Sequence, residues 1–201
     1  METEAVAEDR RLIARIAAGD ERALDSLYAR YRPRVRGYLW RLLDGDDGLV
    51  EEALQDLFLV VWQSAARFRG EAKVATWIFQ IAHNIALRTR QRSARRPASA
   101  SLLAADGSGA RAQCDPYTEA VIVRLSVRDA LGKLSEKYRE VLDLFFRQGF
   151  SAEEIAAILS IPAGTVRSRL SYARKALRDE LNGAPLSREN VGPHARTGEE
   201  R

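Results

Sequence analysis

The stretch Phe150 to Leu181 reads FSAEEIAAILSIPAGTVRSRLSYARKALRDEL, and its spacing predicts two helices held across a tight turn. Ser151 with Glu154 three positions later forms a capping box at the start of the first helix. Ile155, Ala156 and Leu159 make the inward face, and small Ala156 allows close packing. Ser160, Ile161 and Pro162 supply the turn, Pro162 suiting the first turn of the helix that follows. There Val166, Leu170, Ala173, Leu177 and Leu181 recur at spacings of four, three, four and four, which is one buried stripe. Arg167, Ser171, Arg174 and Arg178 repeat that spacing one residue later on a neighbouring exposed face. Between Thr165 and Arg178 there are five basic residues and no acid. This is what a recognition helix requires: an apolar stripe for its own domain and donors for a DNA groove. Gly164 permits close approach of a phosphate to the N–H groups at the helix start. An ordinary amphipathic helix with a solvated basic face is the plainer alternative, but cap, turn, stripe and charge coincide here. Phosphate contacts account for many such arginines, and those fix register without reading sequence.

Working upstream, Tyr138, Val141, Leu142, Leu144 and Phe145 form a helix that Gly149 ends. Before a break at Lys133 to Ser135, Ala120, Val121, Leu125, Val127 and Leu131 carry another. From Arg92 to Pro116 prolines, serines and glycines sit among alanines with no sustained apolar period, the composition of a flexible linker. The first half returns to helical spacing. Asp9 to Ala18 carries Leu12, Ile13 and Ile16, and Asp20 is an N-cap before Ala23, Leu24, Leu27, Tyr28 and Tyr31. Pro33 marks a kink or a helix start. The turn Asp44 to Gly48 leads into a long helix with Val50, Leu54, Leu57, Phe58 and Val61. Thr76 to Gln91 follows, with Ile78, Ile81, Ala82 and Ile85 on one side. No strand alternation appears. The fold class is therefore all-α: an N-terminal helix or extension at 1–22, a helical unit at 23–92, a linker at 93–116, a second helical unit at 117–182 and a disordered tail at 183–201.

The 201 residues are 46% hydrophobic and 30% charged, with net charge +4. Of 32 basic residues 28 are Arg, so the cationic chemistry is guanidinium, suited to forked contacts with phosphates and base edges. The longest uncharged stretch, Val74 to Leu87, is shorter than the roughly 20 apolar residues a bilayer span needs. No signal peptide is recognisable. The single Cys114 excludes an internal disulfide, and two histidines 111 positions apart offer no metal cluster. Phosphate-cradling loops, nucleophile elbows and zinc signatures are missing from the sequence, so neither a cofactor nor enzyme activity is indicated. A cytoplasmic protein with no direct membrane insertion fits this composition.

Charge is segregated in the first half. Asp44 to Asp56 contains six acids and no base, whereas Ala86 to Arg96 contains five arginines and no acid. A Ca²⁺ loop starting at Asp44 fails, because its sixth position is Leu49 and its twelfth Gln55. Glu51, Gln55, Phe58 and Trp62 instead fall on one helical line, a mixed acidic and aromatic face suited to a partner protein. Phe58 and Trp62 as plain core residues are the competing reading. Trp77, Gln80, His83 and Asn84 precede the arginine run, a mixture able to stack on and bond to unpaired bases. From the residues alone, a helix-turn-helix regulator acting by itself, or a helical adaptor for acidic partner proteins, also remains open.

Glu51-Glu52-Ala53-Leu54-Gln55-Asp56-Leu57-Phe58-Leu59-Val60-Val61-Trp62, Phe68-Arg69-Gly70-Glu71 and Thr76-Trp77-Ile78-Phe79-Gln80-Ile81-Ala82-His83-Asn84 resemble conserved region 2 of the extracytoplasmic-function (ECF) group of bacterial sigma factors. Leu134 to Val141 and Ile161 to Leu170 resemble its region 4. The resemblance implies a promoter-specificity subunit of RNA polymerase with no catalysis of its own. It implies that Glu51, Gln55, Asp56, Phe58 and Trp62 dock on the β′ clamp coiled coil, and that region 4 meets the β flap. Arg69, Lys73, Thr76, Trp77, Gln80, His83, Asn84 and Arg88 would read and open the −10 element, with Asn84 holding a flipped-out base. Thr165, Arg167, Ser168, Arg169, Ser171, Arg174 and Lys175 would read the −35 element. An anti-sigma factor is the further partner expected. Two positions depart from the family pattern: Val60 replaces a common basic residue, and Ser160 replaces a glycine frequent in the turn.

Overall fold

A computed structural model describes residues 2–95 and 129–181, and every element among them is helical. The chain from 96 to 128, which holds Cys114 and most of the expected linker, and the tail after Leu181 lie outside the described residues.

Helix α1 (Glu2–Ala17) buries Leu12, Ile13 and Ile16. Asp20 caps α2 (Glu21–Leu42) by accepting from the Ala23 N–H at 3.2 Å. The Arg15 guanidinium bonded to its carboxylate, together with that cap, holds Asp20 below the ordinary carboxyl range. Pro33 neither starts nor interrupts a helix, because α2 runs through it. An interior proline costs roughly 3 kcal/mol, offset here by burial of Tyr31, Val35, Tyr38 and Leu39 around it. The Asp44-Gly45 turn takes two positive φ angles, 53° and 79°. Asp46 then caps α3 (Asp47–Ser64) through the Leu49 N–H at 3.0 Å. A short 3₁₀ turn (Ala65–Arg67) and a loop lead to α4 (Val74–Arg95), which extends three residues past position 92.

In the second unit a helical turn at 129–133 precedes α5 (Glu136–Leu142). One π-helical turn (Asp143–Arg147) follows, and Gly149 at φ +75° lets the chain reverse. The predicted capping box opens α6 (Ala152–Leu159): Ser151 Oγ accepts from the Glu154 N–H at 3.2 Å, and Glu154 accepts from the Ser151 N–H at 2.8 Å. Ser160 closes α6 in the left-handed region (φ 53°, ψ 44°), taking up the glycine conformation without glycine's freedom. The basic helix α7 (Ala163–Leu181) buries Val166, Leu170, Ala173 and Ala176.

The sequence suggests two units on a tether. The structure docks them: α4 packs along α6, and one hydrophobic cluster runs from Leu12 to Ala176 through both. Phe79 of α4 meets Phe150 with ring centroids 5.0 Å apart, edge to face. Such pairs add about 0.5–1.5 kcal/mol beyond their buried area.

Candidate nucleic-acid and polymerase interfaces

The geometry of α4 follows from its 3.6-residue period, which gives the helix three faces. Ile78, Ala82 and Ile85 pack into the first unit, all of them buried. Phe79, His83 and Arg90 point across to the second unit. The remaining face carries Trp77, Gln80, Asn84 and Arg88, of which Asn84 and Arg88 are exposed and Trp77 and Gln80 half-buried. Phe68 leans on Trp77 at 4.9 Å between centroids and fixes its plane. This stripe can place an aromatic surface, an amide and a guanidinium against one unpaired strand.

The other proposed −10 residues lie elsewhere. Arg69 is exposed on the loop, 3.8 Å from Glu71. Lys73 reaches across to Glu154 of α6 at 3.1 Å. Thr76 is 2% exposed with an unpaired hydroxyl. His83 is 8% exposed, and its Nδ1 sits 2.9 Å from Glu140. In this arrangement neither Thr76 nor His83 offers its side chain to a ligand.

On α7, Arg167, Ser168, Ser171, Arg174, Lys175 and Arg178 are exposed, while Thr165 and Arg169 are half-buried. The apolar stripe faces inward at Val166, Leu170 and Ala173 as the spacing predicts, but Leu177 is half-buried and Leu181 exposed, because the described residues of the second unit do not extend far enough to cover the end of α7. Arg167 is hydrogen-bonded to Glu153 of α6. Helix-start backbone N–H bonding and then Arg167 hold the Glu153 carboxyl below its ordinary range. Arg174 lies 5.2 Å from the Phe145 ring centre, its flat guanidinium supported by an aromatic floor.

On α3 the expected partner face splits. Phe58 is 6% exposed and packs edge to face on Tyr28 at 4.7 Å, so it belongs to the core. Gln55 is exposed, with Asp56 and Trp62 half-buried. Glu51 is bound by Arg36 at 3.0 Å and by Arg32 at 3.4 Å. The apolar residue that α3 does expose is Leu59, 54% accessible. Sequence reasoning missed it because a leucine one step beyond a buried phenylalanine looks like core. The signal was available: Leu59 follows Gln55 by one helical turn.

A groove of about 590 Å³ opens between α2, α5 and α7. Its floor is Leu142, Phe146, Leu177 and Leu181, and five arginines rim it. Among the described residues no helix is long and apolar enough to cross a membrane.

Comparison with known proteins agrees with this anatomy. The family described as Sigma-70 region 2 matches residues 27–96, and Sigma-70, region 4 matches residues 124–177. The chain is 32% identical to the ECF RNA polymerase sigma-E factor of Haemophilus influenzae over 181 residues, 86% of this chain and 95% of that one. It is 30% identical to the RNA polymerase sigma-H factor of Pseudomonas aeruginosa, covering 90% and 97% of the two chains. Among solved structures it is similar to CnrH in complex with the cytosolic domain of CnrY, with TM-score 0.62, 26% identity and coverage of 89% and 99%. It is also similar to the sigma factor RpoE in complex with the anti-sigma factor NepR from Bartonella quintana, with TM-score 0.60, 26% identity and coverage of 79% and 96%. Two helical units in that order, a capped helix leading into the basic helix α7 and relatives matched nearly end to end converge on one assignment: the chain belongs to the sigma-70 family, as an ECF sigma factor that directs transcription initiation by RNA polymerase.

Proposed function

We propose that the stripe of half-buried Trp77 and Gln80 and exposed Asn84 and Arg88, extended by Arg69 and Lys73, reads and holds the melted −10 strand. The −35 duplex meets α7 through Arg167, Ser168, Ser171, Arg174 and Lys175, with Thr165 and Arg169 at the edge. Thr76 and His83 act by packing α4 and not by touching bases. Gln55, Asp56, Leu59 and Trp62 form the contact with the β′ clamp, where Glu51 orders Arg32 and Arg36. The arginine-rimmed groove suits an acidic amphipathic helix, such as the β flap or a competing anti-sigma factor could offer.

The observation that carries this reading is the alignment on one face of α4 of a half-buried aromatic and amide with an exposed amide and guanidinium, separate from the basic face of α7. Unstacking a base costs a few kcal/mol. Capture of an extruded base by Asn84 and stacking on Trp77, about 1–3 kcal/mol per base, offset that cost, so melting becomes selective. Each half binds weakly, and tethering both to polymerase makes the second contact intramolecular. Core polymerase reconstituted with the chain tests this by runoff transcription on a promoter carrying both elements. Transcripts from one defined start site are expected; start sites unchanged from core polymerase alone would overturn it.

A further inference from the structure

Phe146 leaves an aromatic side chain 63% accessible, more than Leu59 does. It stands on the π-helical turn Asp143–Arg147, and single turns of this kind are rare and recur at functional sites. The turn is firmly seated. Asp143 at its start is buried and accepts from Arg41 at 2.8 Å, and Leu144 is fully buried. At its end the Gln148 N–H donates to the Asp143 carbonyl and the Phe150 N–H to the Leu144 carbonyl, each at 3.1 Å. Phe145 and Phe146 are thereby set edge to face, ring centres 5.0 Å apart at 76°. Both rings meet Arg174 of α7, whose guanidinium carbon lies 5.2 Å from the Phe145 centre and 5.7 Å from the Phe146 centre.

Arg167 and Arg174 are held in different ways. Glu153 bonds Arg167, so a DNA phosphate has to displace a carboxylate to reach that guanidinium. A ring takes only the flat face of a guanidinium and leaves its N–H edge free. Among the described residues no carboxylate bonds Arg174. Arg174 lines a cleft of about 500 Å³ with Phe145, Arg167, Ser171, Lys175 and Arg178. It also borders the apolar groove whose floor includes Phe146, so the two rings stand where groove and cleft meet. Along α7 (Ala163–Leu181) it lies eleven residues past the first, about 16 Å down the axis at roughly 1.5 Å per residue.

We infer that Phe145 and Phe146 form a shelf that positions Arg174 as a phosphate clamp at one edge of the −35 duplex. The inference rests on the −35 reading above and adds two positioning residues to it. Base edges are met by the first residues of a recognition helix, so a guanidinium this far along meets the sugar–phosphate backbone. Held flat, it presents two parallel N–H donors that match two phosphate oxygens. The clamp reads no sequence. It fixes where α7 sits along the duplex, and so the register in which Arg167 and Ser168 meet the bases. An unsupported arginine loses side-chain entropy when it makes such a contact; the shelf removes part of that loss before DNA arrives.

Holoenzyme assembled from core polymerase and the full-length chain, titrated with promoter duplex, decides this. Duplexes carrying one uncharged methylphosphonate scan each phosphate that flanks the −35 element. In wild type one flanking phosphate is sensitive, and neutralising it weakens binding about tenfold. Arg174→Ala weakens binding of the unmodified duplex by a similar factor and is indifferent to that methylphosphonate. Phe146→Leu, an apolar exchange at an exposed site, weakens binding about threefold and shrinks the penalty at the same phosphate; Phe146→Tyr, which keeps the ring, restores both. In the Arg174→Ala background Phe146→Leu adds nothing. A Phe146→Leu chain that keeps the full phosphate penalty, or that changes only the affinity for core polymerase, overturns the shelf alone. An Arg174→Ala chain that binds the duplex as wild type does overturns the shelf together with the −35 reading at Arg174.

Discussion

Asn84 and His83 are adjacent in sequence, yet one faces solvent and the other Glu140. A helix turns 100° per residue, so adjacent polar residues on a helix packed from two sides go to different surroundings. The sequence identifies both as polar and neither as buried. Asn84→Ala should lower open-complex formation more than promoter association, read by fluorescence of a base analogue in the −10 element; equal losses would assign Asn84 a purely positioning contact. Arg167→Ala should weaken −35 duplex binding by about 1–3 kcal/mol if its fork meets a base edge. Titration against scrambled duplexes gives the check, since a uniform loss over all sequences points to phosphate. Ser160 is the turn residue whose backbone the sequence flags by its departure from glycine. Its left-handed conformation costs an L-residue about 1–2 kcal/mol, so Ser160→Gly should stabilise the chain by about 0.5–1 kcal/mol in urea denaturation after glycine's entropy is subtracted.

At the scale of elements, the helices were legible because their signals are local. The Ser151–Glu154 box and the Asp20 cap operate within one turn and appear as the spacing predicts, and the stripe on α7 does so from Val166 to Ala173, while its end at Leu181 is left exposed. The partner face of α3 was half legible: Gln55, Asp56 and Trp62 lie at or near the surface, but Phe58 turns inward and Leu59 outward. Which side of a helix is covered depends on Tyr28 and α2, and periodicity alone does not name the neighbour. Phe58→Ala should cost about 3–5 kcal/mol of stability, visible as a lowered Tm. Leu59→Ala and Trp62→Ala should weaken polymerase binding with Tm nearly retained. If Leu59→Ala binds core polymerase as wild type does, the α3 contact lies elsewhere.

The docking of the two units was not legible at all. Its polar members, Arg34, Tyr38, His83, Glu140 and Asp143, lie up to 114 positions apart in their pairings, and its apolar contact of Phe79 with Phe150 joins residues equally remote in sequence. A helical period says that Tyr38 or Phe79 is covered but not by which unit, and each residue alone passes for an ordinary surface or core residue. Fold class and the order of units, by contrast, follow from composition and periodicity. On the proposed reading the whole molecule engages two promoter elements at once, with polymerase setting the distance between α4 and α7. The most direct test is runoff transcription by the reconstituted holoenzyme on promoters whose −35 and −10 elements are moved apart or together one base pair at a time. A sharp optimum, with output falling several-fold within two or three base pairs on either side, is the predicted result. Output that ignores the spacing, or that persists when either element is scrambled, would contradict the account.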